Sequence, residues 1–509
     1  MIRLRRALAL TAAAVLLATS AACTAEKGSP EVPDKPPVTA GVPEELISYY
    51  EQQPEWDECE DGFECASIEA PRDWADPSGE RIELAITRPA DRPAHPRGSL
   101  LVNPGGPGGS GVDYVQQSIG YDAFGDALLE NFDIVGFDPR GVGRSTPVTC
   151  LDARGMDAYL YDIPDAARGS DAWETALDTE AKTFADACAD NSGDLLPYIT
   201  TSQAARDMDL LRGVLGDEKL DYLGFSYGTY LGATYADLFP QNTGHLVLDG
   251  AMDPQVSSSE VGRSQVVAFE KSLGTYLQAC LEASSCPFRG TLDQAYDGVA
   301  SLLARLDHRP LHTADGRELG GDAMMLGIVL ALYNEQNWPT LTEALQGAID
   351  GDAELAMYLA DVYNDRTPDG SYGSNSTEAF TAYNCVDYPA TSEDQMEADE
   401  AYLEKNAPVT WQYMMSGDPC QYWPVPPVDA RRQIHAEGAA PILVVGTTGD
   451  PATPFAWAQS LADQLESGQL LTREGEGHTA YGSGSNCIDE AVEAFLTEGK
   501  MPEEGLVCS

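Results

Sequence analysis

The stretch Leu220–Gly232, "LDYLGFSYGTYLG", sets one serine between two glycines, after an apolar run and before small-residue helical text. Within it "GFSYG", Gly224–Gly228, fits G-x-S-x-G in a strand–turn–helix setting, where a serine rides on a sharp, strained turn with its hydroxyl exposed above a sheet. The flanking glycines remove side chains that would strike the neighbouring strand and helix. Ser226 is therefore the candidate nucleophile. A serine hydroxyl attacks only when a histidine takes its proton and a carboxylate fixes that histidine's tautomer, so the rest of the chain must supply both.

Six histidines are available. His478, in "REGEGHTAY", follows the last strand-like run and lies near the C-terminus, where the chain order serine, aspartate, histidine puts the base. Asp450, in "VVGTTGDPATP", ends the preceding strand-like run and opens on the same edge as His478. Asp249, in "LVLDGAMDP", ends an earlier run and is the rival carboxylate. An oxyanion hole needs two backbone N–H groups. Tyr227 follows the nucleophile and offers one; the glycine-rich loop "NPGGPGGSG", Asn103–Gly111, offers the other, with Gly106 as first choice. Such a loop can also cradle phosphate, but no P-loop lysine follows. In "DPRGVGRS", Asp138 and Arg140 are expected to form a buried ion pair that braces this loop.

Around these motifs, short apolar runs alternate with turn residues from Cys65 onward: "ECASIEAPRDW", "RIELAITRPA", "GSLLVNPGG", "NFDIVGFDPRG", "KLDYLGF" and "TGHLVLDG". The later runs are continuous and β-branched and end in glycine-rich loops, as buried parallel strands do, with function gathered at their C-terminal ends. From about 254 to 408 the text turns helical, and strand signals resume at "APILVVGTTGDPATP" and "GQLLTREGEGHTAYG". The pattern predicts an α/β core in two parts, 44–253 and 409–509, interrupted by a helical cap at 254–408.

The chain has 509 residues and a net charge of −52, which repels nucleic acid and anionic lipid and keeps an exported protein soluble. The N-terminus, "MIRLRRALALTAAAVLLATSAAC", has Arg3, Arg5 and Arg6 before an apolar run and small residues, which is a secretory signal over 1–22. Cys23 then sits where bacterial lipoproteins carry their acylated cysteine; Ser20 departs from that motif, and an ordinary cleavage site is the alternative. Residues 23–43, rich in Pro, Gly and charge, read as an unstructured tether. Setting Cys23 aside leaves ten of the eleven cysteines, an even number for an oxidising compartment. Proximity in sequence pairs Cys59 with Cys65, Cys150 with Cys188, Cys280 with Cys286, Cys385 with Cys420 and Cys487 with Cys508. No C-x-x-C pair or His/Cys cluster suggests a metal.

"NPGGPGGSG", "FDPRGVGRS", "GFSYGTYLG", "DPATP" and "GEGHTAY", in this order, resemble the α/β-hydrolase peptidases related to proline iminopeptidase. More closely they resemble the secreted tripeptidyl-aminopeptidase-like proteins of actinomycetes, which include envelope lipoproteins of mycobacteria. The resemblance runs from about Cys65 to the end and is weakest in the cap. It implies an α/β-hydrolase fold and release of short peptides from free N-termini, with Ser226 as nucleophile, Asp450 as orienting acid, His478 as base, and Gly106 and Tyr227 as oxyanion donors. It implies peptide or protein substrates, no cofactor, no nucleic acid and membrane contact only through a lipid anchor. Related aminopeptidases hold the substrate ammonium with cap carboxylates. Glu335 in "LYNEQNWP", beside Tyr333 and Trp338, is the first candidate here, and Asp387 in "NCVDYP" the second. The same triad also serves esterases, lipases and endoproteases, and a binding protein can retain the fold without activity.

Overall fold

The computed structural model describes residues 34–119, 123–415, 417–428 and 430–509. The expected signal segment, the acylated Cys23 and most of the tether lie outside the described residues. Ten strands form one sheet in the spatial order β1-β2-β3-β5-β4-β6-β7-β8-β9-β10. The first three, β1 (Asp57–Glu60), β2 (Phe63–Pro71) and β3 (Arg81–Pro89), pair antiparallel, and β3 meets β5 the same way. All other pairings are parallel: among β4 (Ser99–Asn103), β5 (Asp133–Phe137), β6 (Leu220–Phe225), β7 (Thr243–Asp249), β8 (Ile442–Gly449), β9 (Gly468–Glu476) and β10 (Val507–Cys508). The central strands β4 and β5 are buried throughout, because helices cover both faces of the sheet. Successive residues serve opposite layers: Leu101, Tyr222 and Val444 enter one core, while Val102, Leu223 and Val445 enter the other. The right-handed parallel topology leaves the turns after β4, β6, β7, β8 and β9 along one carboxyl edge.

Three helices flank these strands: α1 (Gly111–Ile119) after β4, α2 (Thr201–Val214) before β6 and α3 (Tyr227–Leu238) after it. Between β7 and β8 the helices α4 (Ser258–Glu282) and α5 (Gly321–Leu332), with others, enclose a second apolar core around Leu277, Met324, Ile328 and Leu345. α5 reads "GDAMMLGIVLAL" and is buried on nearly every side, as an almost wholly apolar helix must be.

Two parts of the chain differ from the sequence expectation. The helix α6 (Ser376–Asp387) falls in the segment expected as cap, yet Ala379, Ala382, Tyr383, Cys385 and Val386 belong to the core beside the sheet. Amphipathic text says which face is apolar but not which layer that face meets. Residues 34–43, expected to finish the tether, are held against the core: Val38 N–H donates to the Gly213 carbonyl at 2.8 Å and Lys35 pairs with Asp217 at 2.7 Å. All five cysteine pairs expected from proximity are disulfides. Among the described residues no helix is long and apolar enough to cross a membrane.

Candidate active site

Ser226 is the residue between β6 and α3 and has φ 55° and ψ −122°. A side-chain-bearing residue avoids this region, so the turn is strained and is held from outside. Ser226 N–H donates to the Asp249 carbonyl at 2.9 Å, and its own carbonyl accepts from Thr229 N at 2.9 Å. The flanking glycines are sterically required: a Cβ on Gly224 would lie 2.6 Å from the Gly228 carbonyl oxygen, and one on Gly228 would lie 2.8 Å from Asn103 Oδ1.

The glycine-rich loop after β4 lies directly against this turn. A Cβ on Gly105 would come within 2.8 Å of Ser226 Cβ and 3.1 Å of Tyr227 N. Tyr227 is the first residue of α3, and its N–H belongs to the helix-start group that has no intrahelical acceptor. Gly106 adopts φ 109°, which is open to glycine and turns the loop at this point. Asp138 braces the loop by accepting from Ser110 Oγ at 2.5 Å and Val112 N at 3.1 Å. The expected Asp138–Arg140 ion pair does not form. Arg140 instead makes a bidentate pair with Asp207 on α2, at 2.6 and 2.7 Å, and donates to the carbonyls of Pro71 and Arg72. A buried guanidinium needs several planar acceptors, and Asp207 with these carbonyls supplies them.

His478 follows β9. Its Nδ1 stands 2.9 and 3.0 Å from the two Asp450 oxygens. Asp450, at the end of β8, is oriented by Ala452 N at 2.9 Å, Thr453 N at 2.8 Å, Thr453 Oγ1 at 2.9 Å and Thr479 N at 3.2 Å. Burial alone would lower the His478 pKa, but the Asp450 charge and hydrogen bond, helped by Asp249, outweigh it and raise the pKa above 6.5. Asp249 does not face His478 Nδ1. Its carboxylate accepts Ala480 N at 3.0 Å and Tyr481 N at 2.8 Å, just beyond the histidine. Burial pushes the Asp249 carboxyl up to about 6, against the pull of these amides and of His478.

The helical layer touches this centre through Tyr333, immediately after α5. The Tyr333 carbonyl accepts His478 N–H at 2.8 Å, and its ring stands edge-on to the imidazole at 5.2 Å. Glu335 opens the short turn that follows, is exposed, and lies close enough to Glu476 to add to the burial that raises that carboxyl. Trp338, close to Glu335 in the sequence, packs edge-on against Tyr276 at the second apolar core. Asp387 is not available to a substrate ammonium. It is 1 % exposed, and its oxygens accept Thr201 Oγ1 at 2.5 Å and Thr201 N at 3.3 Å. The structure also adds residues that the motifs did not single out: Thr453, Tyr333 as a backbone acceptor, and Asp249 as a tie between two loops. Of these only Thr453 had a local signal, since an aspartate followed three residues later by threonine before a helix is a side-chain-capped turn.

A strained serine on a strand-to-helix turn, an amide-rich loop against it and a carboxylate-held histidine on the same sheet edge define a serine hydrolase of the α/β-hydrolase fold. Residues 405–508 match the family described as TAP-like protein. Serine protease Hip1 of Mycobacterium tuberculosis is 36% identical over 462 residues, 88% of this chain and 87% of the relative. Carboxylesterase B of the same species is 36% identical over 455 residues, 87% and 86% of the two chains. Tripeptidyl aminopeptidase of Streptomyces lividans is 30% identical over 471 residues, 89% and 86%. The chain belongs to this family of TAP-like α/β-hydrolases.

Proposed function

We propose that the protein is a serine peptidase that releases short peptides, of tripeptidyl length, from free N-termini through an acyl-enzyme on Ser226. The observation that carries this reading is the Asp450–His478 contact at Nδ1, which leaves Nε2 as the nitrogen that takes the serine proton. Ser226 Oγ then attacks the scissile carbonyl, and the oxyanion is held by the N–H groups of Gly106 and Tyr227. His478 passes its proton to the leaving amine. Water, deprotonated by the same nitrogen, releases the acyl peptide and restores the serine. Glu335, exposed beside the His478 loop, would receive the substrate α-ammonium. The peptidase named among the relatives and the tripeptidyl aminopeptidase named in Streptomyces support the substrate class. An N-terminal signal and acylation at Cys23 would place the enzyme on the outer face of the cell membrane.

A second reading, an esterase with the same triad, is favoured by the relative named as a carboxylesterase at equal identity. Turnover of free-amine peptide anilides, the same peptides N-acetylated, and short acyl esters separates the two. Cleavage confined to free-amine anilides supports the aminopeptidase. Activity on esters alone overturns it, and so does a Ser226→Ala variant that keeps more than a few per cent of activity.

A further inference from the structure

We propose that α6 backs both halves of the oxyanion hole and that Asp387, at its C-terminal end, is a positioning residue acting through Thr201 and the Tyr227 hydroxyl on the Tyr227 N–H. This rests on Ser226 being the nucleophile. The chain of contacts is directional. Thr201 Oγ1 lies 2.6 Å from the Tyr227 hydroxyl oxygen and 2.5 Å from Asp387 Oδ2. Threonine has one hydroxyl proton, and the carboxylate can only accept, so Thr201 donates to Asp387 and accepts from Tyr227. All three groups are sealed from water, with Thr201 fully buried and Tyr227 1 % exposed. In such surroundings an unmade bond costs more than in water, so the chain holds the ring firmly. Burial also keeps the Tyr227 hydroxyl far above its ordinary pKa, hence a donor.

Tyr227 carries its oxyanion N–H at the first position of α3, so fixing its ring from behind fixes the angle at which that N–H meets the substrate oxygen. Asp387 is held in turn: it is the last residue of α6, whose Cys385 is tied to Cys420. The other end of α6 abuts the glycine-rich loop. A Cβ on Gly108 would lie 2.7 Å from the Ser376 carbonyl oxygen and 3.1 Å from Phe380 N. In between, the Tyr383 hydroxyl donates to the Arg140 carbonyl at 2.9 Å. One helix therefore sets both donor-bearing segments, and a carboxylate drawn from outside the catalytic loops aligns one of them.

The test uses Thr201→Val, which matches volume and removes both side-chain bonds, with Tyr227→Phe and Thr201→Ser, assayed on a free-amine peptide anilide and by the rate of fluorophosphonate labelling. The labelled serine resembles the tetrahedral intermediate, so labelling reads the oxyanion hole directly. Thr201→Val and Tyr227→Phe should each lower kcat about tenfold, a fraction of the loss from deleting a whole donor, with KM within about twofold. Labelling should slow in parallel, Thr201→Ser should restore both rates to within about twofold, and the double variant should be no worse than either single one, because one chain is broken. If Thr201→Val does not fold, Tyr227→Phe, which removes a single oxygen, carries the test. An unchanged kcat, a raised KM with kcat intact, or losses that multiply in the double variant would overturn the proposal. Failure of the wild type to label at Ser226 would instead remove the nucleophile beneath it.

Discussion

Asp249 accepts the backbone N–H of Ser226 at 2.9 Å through its carbonyl, while its carboxylate holds the amides of Ala480 and Tyr481. One residue thus ties the nucleophile turn to the histidine loop without touching the imidazole nitrogen that Asp450 engages. The two carboxylates should separate on mutation. Asp450→Asn should lower kcat about 10³- to 10⁴-fold with little change in melting temperature, the loss expected when a triad histidine takes the wrong tautomer. Asp249→Asn should lower the melting temperature while costing no more than about tenfold in kcat, since one acceptor oxygen survives facing two donors. Steady-state kinetics and thermal melts on both variants check this. The reverse ranking would exchange their roles.

Activity and stability should move in opposite directions with pH. His478 must be neutral to act as base, and its pKa lies above 6.5, so the acid limb of kcat/KM should fall above that value. Its ion pair stabilises the fold fully below 6.5 and is lost as pH rises through the raised value. The Asp249 carboxyl, at about 6 against 3.8, is also raised, so its contribution is present at low pH and lost as pH climbs through about 6. Asp249→Asn should flatten that part of the melting-temperature profile, and Asp450→Asn should move the residual activity limb to lower pH.

Thr453 donates to Asp450 Oδ2 at 2.9 Å and stands 3.2 Å from His478 Nδ1. Thr453→Val keeps the volume and removes a charge-assisted hydrogen bond, so kcat should drop about tenfold with KM little changed. Thr453→Ser should restore it. A rise in KM alone would place Thr453 in substrate binding.

Glu335→Gln should raise KM for free-amine peptides roughly two- to fivefold, the effect of losing one ammonium–carboxylate contact at an exposed position. Hydrolysis of N-acetylated peptides, already slow, should barely change. Equal losses on both substrates would mark a folding defect instead.

The Ser226 turn, His478 and Asp450 were legible because each is a local signal: a glycine-flanked serine after an apolar run, and two loop residues ending successive strands. What escaped was set by contacts distant in sequence. Arg140 finds Asp207 on a helix 67 residues away, and His478 is held by Tyr333 from another layer. Asp387 looked like a free acid in cap text, but the helix bearing it turns its apolar face to the sheet, so the carboxylate ends under α2 and not in a cleft. Residues 34–43 read as tether because they have little to bury, yet backbone and ion-pair contacts suffice to fasten them.

The bond from the His478 backbone N–H to the Tyr333 carbonyl ties the helical layer to the residue proposed as the base. A lipase whose cover swings away at an oil–water boundary must leave its histidine undisturbed, but here the same movement would pull on the imidazole's own backbone. The enzyme should therefore show no interfacial activation. Its turnover of a short soluble ester should pass smoothly through the solubility limit of that ester, and micelles should not accelerate it.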